Sequence, residues 1–294
     1  MKTVNLLPLA AMLLSLTGCN RVHVVELDPV PAPVSVHVNG FTITQEGLPQ
    51  TKGTAVSEYS GATAIVLAFY NSSGTEVFKS TQIKDDPSTF TTYGDFSCNL
   101  PYDDYTMVAI GYGYLPDNQL TLTSPTEASY TGAVARETFS ATQSVSIKSS
   151  SPLDLTATLN RINAKLFLVS TDNRPANVTN IRMIFSAGSK SFNPTTGLAI
   201  SNTGSTNTVG ISTDVGKRTG SISYIFLTSD EQQMDVTIQT LDAQGNILFD
   251  ETVEDVPFQR NTQTKMTGSL YETTASAGSF QLNTDWLTGN DISF

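Results

Sequence analysis

Hydrophobic and polar positions alternate along most of this chain with a period of two. In MDVTIQT, Met234, Val236 and Ile238 share one parity and Asp235, Thr237 and Gln239 the other, which predicts a strand with one face on a core and one in water. A first series of such runs comprises VHVNGFTIT (36–44), ATAIVLAFY (62–70), TEVFKSTQI (75–83), GDFSCNL (94–100), YTMVAIGYG (105–113), GAVARETFSA (132–141) and SVSIKS (144–149). A second comprises LDLTATLNRINAKLFLVS (153–170), NVTNIRMIFS (177–186), TVGIST (208–213), SISYIFLT (221–228), MDVTIQTLD (234–242), NILFDETV (246–253) and TKMTGSLY (264–271). AIVLAFY and YIFLT are apolar on both parities, as central strands of a sandwich can be, and no stretch keeps a helical period with caps.

The series break near SSSP at 149–152. About seven short strands on each side fit an all-β chain of two tandem β-sandwich domains, 34–150 and 151–294, better than a barrel. Two local features refine the pattern. NSSG (71–74) reads as a hairpin connection in which Gly74 supplies the positive φ. In the first strand Val34, Val36 and Val38 share a parity that shifts to Phe41 and Ile43 after Gly40, which predicts a bulge there or a strand crossing between sheets. The following QEGLPQTKGTAVSEYSG has no periodicity and reads as an exposed, nickable loop.

The first 18 residues follow a different rule. Lys2 precedes an apolar stretch, Leu6 to Leu16, of signal-peptide length and too short to span a bilayer comfortably. It ends in LTGC, which resembles the lipobox of bacterial lipoproteins: Leu16, the small Thr17 and Gly18, then Cys19. That resemblance implies cleavage before Cys19, acylation of its thiol and amine, and attachment to a membrane through the acyl chains. Residues 19–33, NRVHVVELDPVPAP after the cysteine, read as a tether.

Removing residues 1–18, which hold one lysine and no acid, takes the formal charge from −11 to −12. Such a balance repels nucleic acid and anionic headgroups. With Cys19 acylated, Cys98 is the sole remaining thiol, so no intrachain disulfide can form; in FSCNLPY it reads as a small apolar residue at a strand end.

Catalytic patterns are absent from the sequence. Of two histidines, His23 falls in the tether and His37 on the polar parity of the first strand, and neither has a zinc spacing. There is no GxSxG elbow, Walker loop or dinucleotide glycine pattern in a suitable setting. Asp85-Asp86 and Asp103-Asp104 adjoin Pro87 and Pro101 and read as solvated turns rather than a catalytic or metal pair. LDAQGNI (241–247) lacks the ligands of a calcium loop and reads as a hairpin turn. The chain is therefore expected to be a non-enzyme with no cofactor or metal. Tyr102, Tyr105, Tyr112, Tyr114 and the single tryptophan, Trp286, are the candidates for contact with a glycan.

Two stretches of the second series carry a resemblance. LTATLNRINAKLFLVSTDNRPANVTNIRM, with Leu159-x-Arg161, Ala164-Lys165-Leu166 and Pro175, resembles the opening of the C-terminal domain of fimbrillin-type proteins. QGNILFDETVEDVPFQRNTQTKMTGSLY, with Val256-Pro257, Arg260-Asn261, Thr264 and Gly268-Ser269-Leu270, resembles their later hairpin, and FSCNLPYDDYTMVAIGYG a strand of their first domain. The resemblance implies two transthyretin-like β-sandwich domains in a lipoprotein of the type V pilus system of Bacteroidia. In that system pilins are cut after a basic residue beyond the first strand, and a donor strand from the next subunit fills the vacated groove, a form of β-augmentation.

Here the chain departs from a pilin. Between Arg21 and Arg136 there is no arginine, and the basic residue of the loop is Lys52. The resemblance thus points to an uncut anchor or structural subunit at the cell outer membrane, with other pilus subunits, and host or bacterial surface ligands, as partners. The alternative is a surface glycan-binding lipoprotein using the exposed tyrosines and Trp286. The C-terminal FQLNTDWLTGNDISF is open to either role, donor strand or part of its own domain.

Overall fold

The computed structural model of the chain describes residues 30–42 and 54–271 and the strand 281–283. Among them the regular elements are strands, apart from one 3-10 turn at Pro87–Thr89; the protein is all-β. The first ten strands are β1 (Ala32–Thr42), β2 (Thr54–Ala55), β3 (Ala64–Asn71), β4 (Glu76–Ile83), β5 (Asp95–Leu100), β6 (Asp103–Tyr112), β7 (Leu120–Ser124), β8 (Glu127–Tyr130), β9 (Thr138–Ile147) and β10 (Leu153–Arg161). They are followed by β11 (Ala164–Asn173), β12 (Asn180–Phe185), β13 (Ser191–Phe192), β14 (Ser205–Gly210), β15 (Arg218–Ile225), β16 (Glu231–Leu241), β17 (Ile247–Gln259), β18 (Gln263–Gly268) and β19 (Gln281–Asn283).

The largest sheet runs β2-β1-β10-β9-β6-β3-β4, with β5 also on β1. It doubles over on itself, because β9 and β10 pair only at Asn160–Ser140 and Arg161–Phe139. Inward residues of β1, β5 and β10 (Val34, Val36, Phe96, Leu155, Leu159) then meet those of β3, β6 and β9 (Leu67, Phe69, Met107, Phe139) in one buried core. A second sandwich faces β15-β11-β18-β19 against β14-β12-β16-β17, closing over Leu166, Leu168, Ile181, Met183, Phe185, Val236, Ile238 and Met266.

A third core joins the two. The hairpin β7–β8 covers the outer face of β3 and β6, and its β8 pairs with β13 from the second half at Ser129–Ser191 and Ala128–Phe192. Phe192 stacks on Phe226 with centroids 4.2 Å apart, and Phe226 on Tyr130. Buried aromatic pairs add about 0.5–1.5 kcal/mol each beyond area burial.

Two expectations change in the structure, and one hairpin is new. The runs 132–141 and 144–149 belong to one strand, β9, preceded by irregular chain. The hydrophobic pattern does not disclose the hairpin β7–β8, since LTLTS and EASY are short, Thr- and Ser-rich and weakly alternating. The run 153–170 is two strands, not one. β10 hydrogen-bonds parallel to β1 in the first sheet, β11 to β15 and β18 in the second, and the chain crosses between them at Ile162 and Asn163. Fully buried Asn163 makes this crossing feasible: its amide donates to Arg136 O at 2.6 Å and its carbonyl oxygen accepts from Thr138 N, replacing ladder bonds the buried backbone would otherwise lack.

Two finer expectations hold. Gly74 closes the β3–β4 hairpin at φ 78, and the β1–β10 register shifts between Val38 and Gly40, leaving Asn39 as the extra residue of a bulge. The bulge turns both Gly40 and Phe41 inward.

Candidate functional site

The valine-rich first strand, β1, lies inside its sheet. Valines at alternate positions favour the pleated conformation, and Ala32, Val34, Val36 and Val38 are all at most 4% exposed. On one side β1 pairs with β10 from Val34–Leu153 to Thr42–Asn160. On the other it pairs with β5 from Ala32–Leu100 to His37–Asp95, then with β2 at Gly40–Ala55 and Phe41–Thr54. Each buried Val or Phe contributes about 1.5–3 kcal/mol. Losing the strand would therefore remove an amount comparable with the whole stability of a domain, so β1 can leave only if another strand takes its place.

The end of β1 nearest the loop is held most tightly. Phe41 lies against Phe139 and Tyr59, at centroid distances of 4.7 and 5.5 Å. It packs so closely on β6 that a Cβ at Gly111 would stand 2.5 Å from its ring. Tyr59 comes from the turn after β2, which Lys84 anchors by donating to Ser57 O at 2.8 Å. The Tyr59 hydroxyl accepts from Arg161 Nη2 at 3.3 Å, and Arg161 Nη2 lies 2.5 Å from Glu137 Oε1 with both side chains about 12% exposed or less. Burial pushes the Tyr59 hydroxyl well above its ordinary pKa, with Glu137 adding to the shift. For Arg161 burial works against the charge, but Glu137 and Tyr59 outweigh it and raise the pKa. The cluster is a buried, charged latch over the end of β1, at the corner where β9 and β10 meet.

His37, Asp95 and Cys98 lie along the β5 side of β1. His37 faces solvent, as its parity predicts, with Nδ1 2.9 Å from Asp95 Oδ1, and both are about half exposed, so the pair contributes little. Cys98 pairs with Val34 and is half-buried, and burial raises its thiol pKa to about 11.

Cys19, Lys52, Trp286 and His23 lie outside the described residues. The tyrosines do not form a shared platform: Tyr105 and Tyr112 are buried, Tyr114 packs against the third core, and Tyr102 is exposed. Asp86 caps the 3-10 turn by accepting from Ser88. Asp103 and Asp104 open β6 rather than a turn, with Asp104 bonded to Ser146 and to Lys148 at 3.0 Å. Asp242 ties the β16–β17 turn by accepting from Gln244 N and Asn246 N. Among the described residues no three or more His, Cys, Asp or Glu are grouped to hold a metal, and no helix is long and apolar enough to cross a membrane.

The family-like residues have structural work. Arg260 Nη2 meets Asp230 at 2.6 Å, Asn261 N donates to Asn163 O, and Thr264 Oγ1 donates to Pro257 O. Ser269 Oγ, Leu270 N and Tyr271 N all donate to the Asp172 carboxylate at 2.6–2.9 Å, which overcomes the effect of burial and holds its pKa low. Tyr59 and Glu137 went unnoticed in the sequence; the one available signal was a charged residue, Glu137, between apolar strand positions.

The family described as a family of unknown function (DUF6562) matches residues 41–288, and the chain belongs to it. No curated protein matches the sequence. Among solved structures, the fimbrial anchor protein Mfa2 from Porphyromonas gingivalis is similar over 86% of this chain and 95% of its own, with 11% identity and a TM-score of 0.51. A candidate adhesin from Bacteroides ovatus is similar over 87% and 94%, with 8% identity and a TM-score of 0.51. A candidate cell adhesion protein from Bacteroides eggerthii is similar over 87% and 96%, with 10% identity and a TM-score of 0.50. At these identities the shared property is the β-sandwich fold.

Proposed function

We propose that the protein is a cell-surface lipoprotein that serves as an anchoring or structural subunit of a pilus, held at the outer membrane by acyl chains on Cys19. The observation that carries this reading is the enclosure of β1. The strand that follows the lipidated tether is bonded on both edges and latched at Phe41, so a pull on the tether loads the core of the first sandwich. Fold kinship with a fimbrial anchor and with candidate adhesins supports it. So does Lys52, the lone basic residue between positions 43 and 53, which an arginine-specific protease leaves intact.

In this reading the two transthyretin-like domains divide at Ile162–Asn163 rather than near 150, because β10 completes the seat of β1. Neighbouring subunits associate by β-augmentation, with the anchor keeping its own first strand. The test is to mix the lipid-free mature chain with an arginine-specific and, separately, a lysine-specific protease, and to run unheated denaturing gels. The arginine-specific enzyme should produce neither a nick in the loop nor a ladder of oligomers. A ladder from that treatment would make the protein a polymerising pilin.

A further inference from the structure

Where β9 and β10 part, the surface opens into a cleft of about 700 Å³, within the size range of small-ligand sites. The strands pair at Asn160–Ser140 and Arg161–Phe139 and go no further, so Ala141, Thr142 and Thr158 line a widening wedge. The facing wall is the loop Pro194–Gly197 of the second half, with Asp230 and Arg260. That wall is fixed in place. Ser140 Oγ donates to Pro194 O at 2.9 Å, Thr195 Oγ1 to Pro125 O at 2.9 Å, and Arg260 Nη1 to Thr196 O at 2.8 Å. A cleft whose walls are already ordered loses little entropy on binding.

The chemistry of the lining is selective. Its two arginines are each neutralised, Arg161 by Glu137 at 2.5 Å and Arg260 by Asp230 at 2.6 Å, so the site offers no net charge to an ionic ligand. Among the described residues no aromatic ring lines it, and hydroxyl and amide side chains predominate. Three of these, Thr142, Asn160 and Gln259, make no side-chain hydrogen bond with other described residues and remain available to a ligand. Only about three residues of each strand edge border the cleft, too few to pair with an added peptide strand of ordinary length. We infer that the cleft binds a neutral, hydroxyl-rich ligand, a short segment of uncharged oligosaccharide, with Thr142, Asn160 and Gln259 exchanging hydrogen bonds with its hydroxyls. The cleft shares Arg161 and β10 with the seat of β1, but ligand binding and retention of the first strand are read by different measurements, so its failure would leave the anchoring reading untouched.

The test uses the full mature chain without lipid and a panel of neutral and acidic oligosaccharides, read by saturation-transfer NMR. At least one neutral glycan should bind, and the double variant Asn160→Ala/Gln259→Ala should weaken it by about tenfold or more. Should that variant misfold, Thr142→Trp fills the cleft while leaving Asn160 and Gln259 in place, and should abolish binding. The inference is overturned if no neutral glycan binds, if only acidic glycans or peptides bind, or if binding survives the cleft variants and is lost with Trp286→Ala.

Discussion

Arg161 and Glu137 form an ion pair at 2.5 Å, almost out of contact with water, at the corner where the first sheet folds over itself. Because Arg161 also bonds to Tyr59, whose ring lies against Phe41, the pair connects the sheet corner to the end of the first strand. Breaking a buried pair by removing one partner leaves an uncompensated charge, at a cost of about 3–5 kcal/mol. Glu137→Gln should therefore lower the unfolding free energy of the first sandwich by that amount, seen in chemical unfolding as a lower denaturant midpoint at unchanged slope. Replacing the exposed Asp95 of the His37 pair should change it by less than about 1 kcal/mol.

Phe41→Ala removes the ring that packs on Gly111, Tyr59 and Phe139. For a fully buried phenylalanine the loss is about 3–5 kcal/mol. Hydrogen exchange should show the protection of β1 amides falling far more than that of β16, which lies in the other sandwich. Equal loss in both would mean that the strand is not separately latched.

The first strand's alternation, its bulge and the β3–β4 hairpin were legible because each depends on residues adjacent in the chain: valines at every second position, Gly40 after them, Gly74 in a four-residue turn. The latch was not legible. Tyr59, Glu137 and Arg161 come from three distant segments, and no local pattern shows that a carboxylate and a guanidinium will be buried against each other. The split of 153–170 left a local trace: the apolar parity runs through Leu155, Ala157 and Leu159 and switches to Ile162, Ala164, Leu166 and Leu168, but such a switch also fits a bulge within one strand, and only the partners of β10 and β11 reveal that the segment serves two sheets. Arg260, Asn261 and Asp172 show the same limit, since a family-like pattern marked the first two without disclosing the turn and carboxylate contacts they support.

Cys98 should act as a reporter for the first strand. Its thiol sits beside Val34, and burial raises its pKa to about 11, so little thiolate is present near neutral pH. Maleimide labelling of the lipid-free mature chain should be slow in the native state and fast in denaturant. Cutting the loop and stripping the first strand should bring native labelling close to the denatured rate.

Asp172 links stability to acid. Its folded pKa is lowered below 3.8 by donors from Ser269, Leu270 and Tyr271 despite partial burial. A depressed carboxylate stabilises the fold above its unfolded pKa, and that contribution is lost as pH falls through the lower folded value. Asp172→Asn should cost about 1–3 kcal/mol at pH 7 and flatten the decline in stability below pH 4, measured by thermal melts across pH. An unchanged acid limb would assign that decline to other carboxylates.

In the proposed reading the chain stays whole, held to the membrane through its own first strand. Intact-mass and N-terminal analysis of the protein isolated from outer membranes tests this most directly. An anchor should carry a mature chain beginning at acylated Cys19; a mature N-terminus at Gly53, following a cut at Lys52, would make it a processed pilin instead.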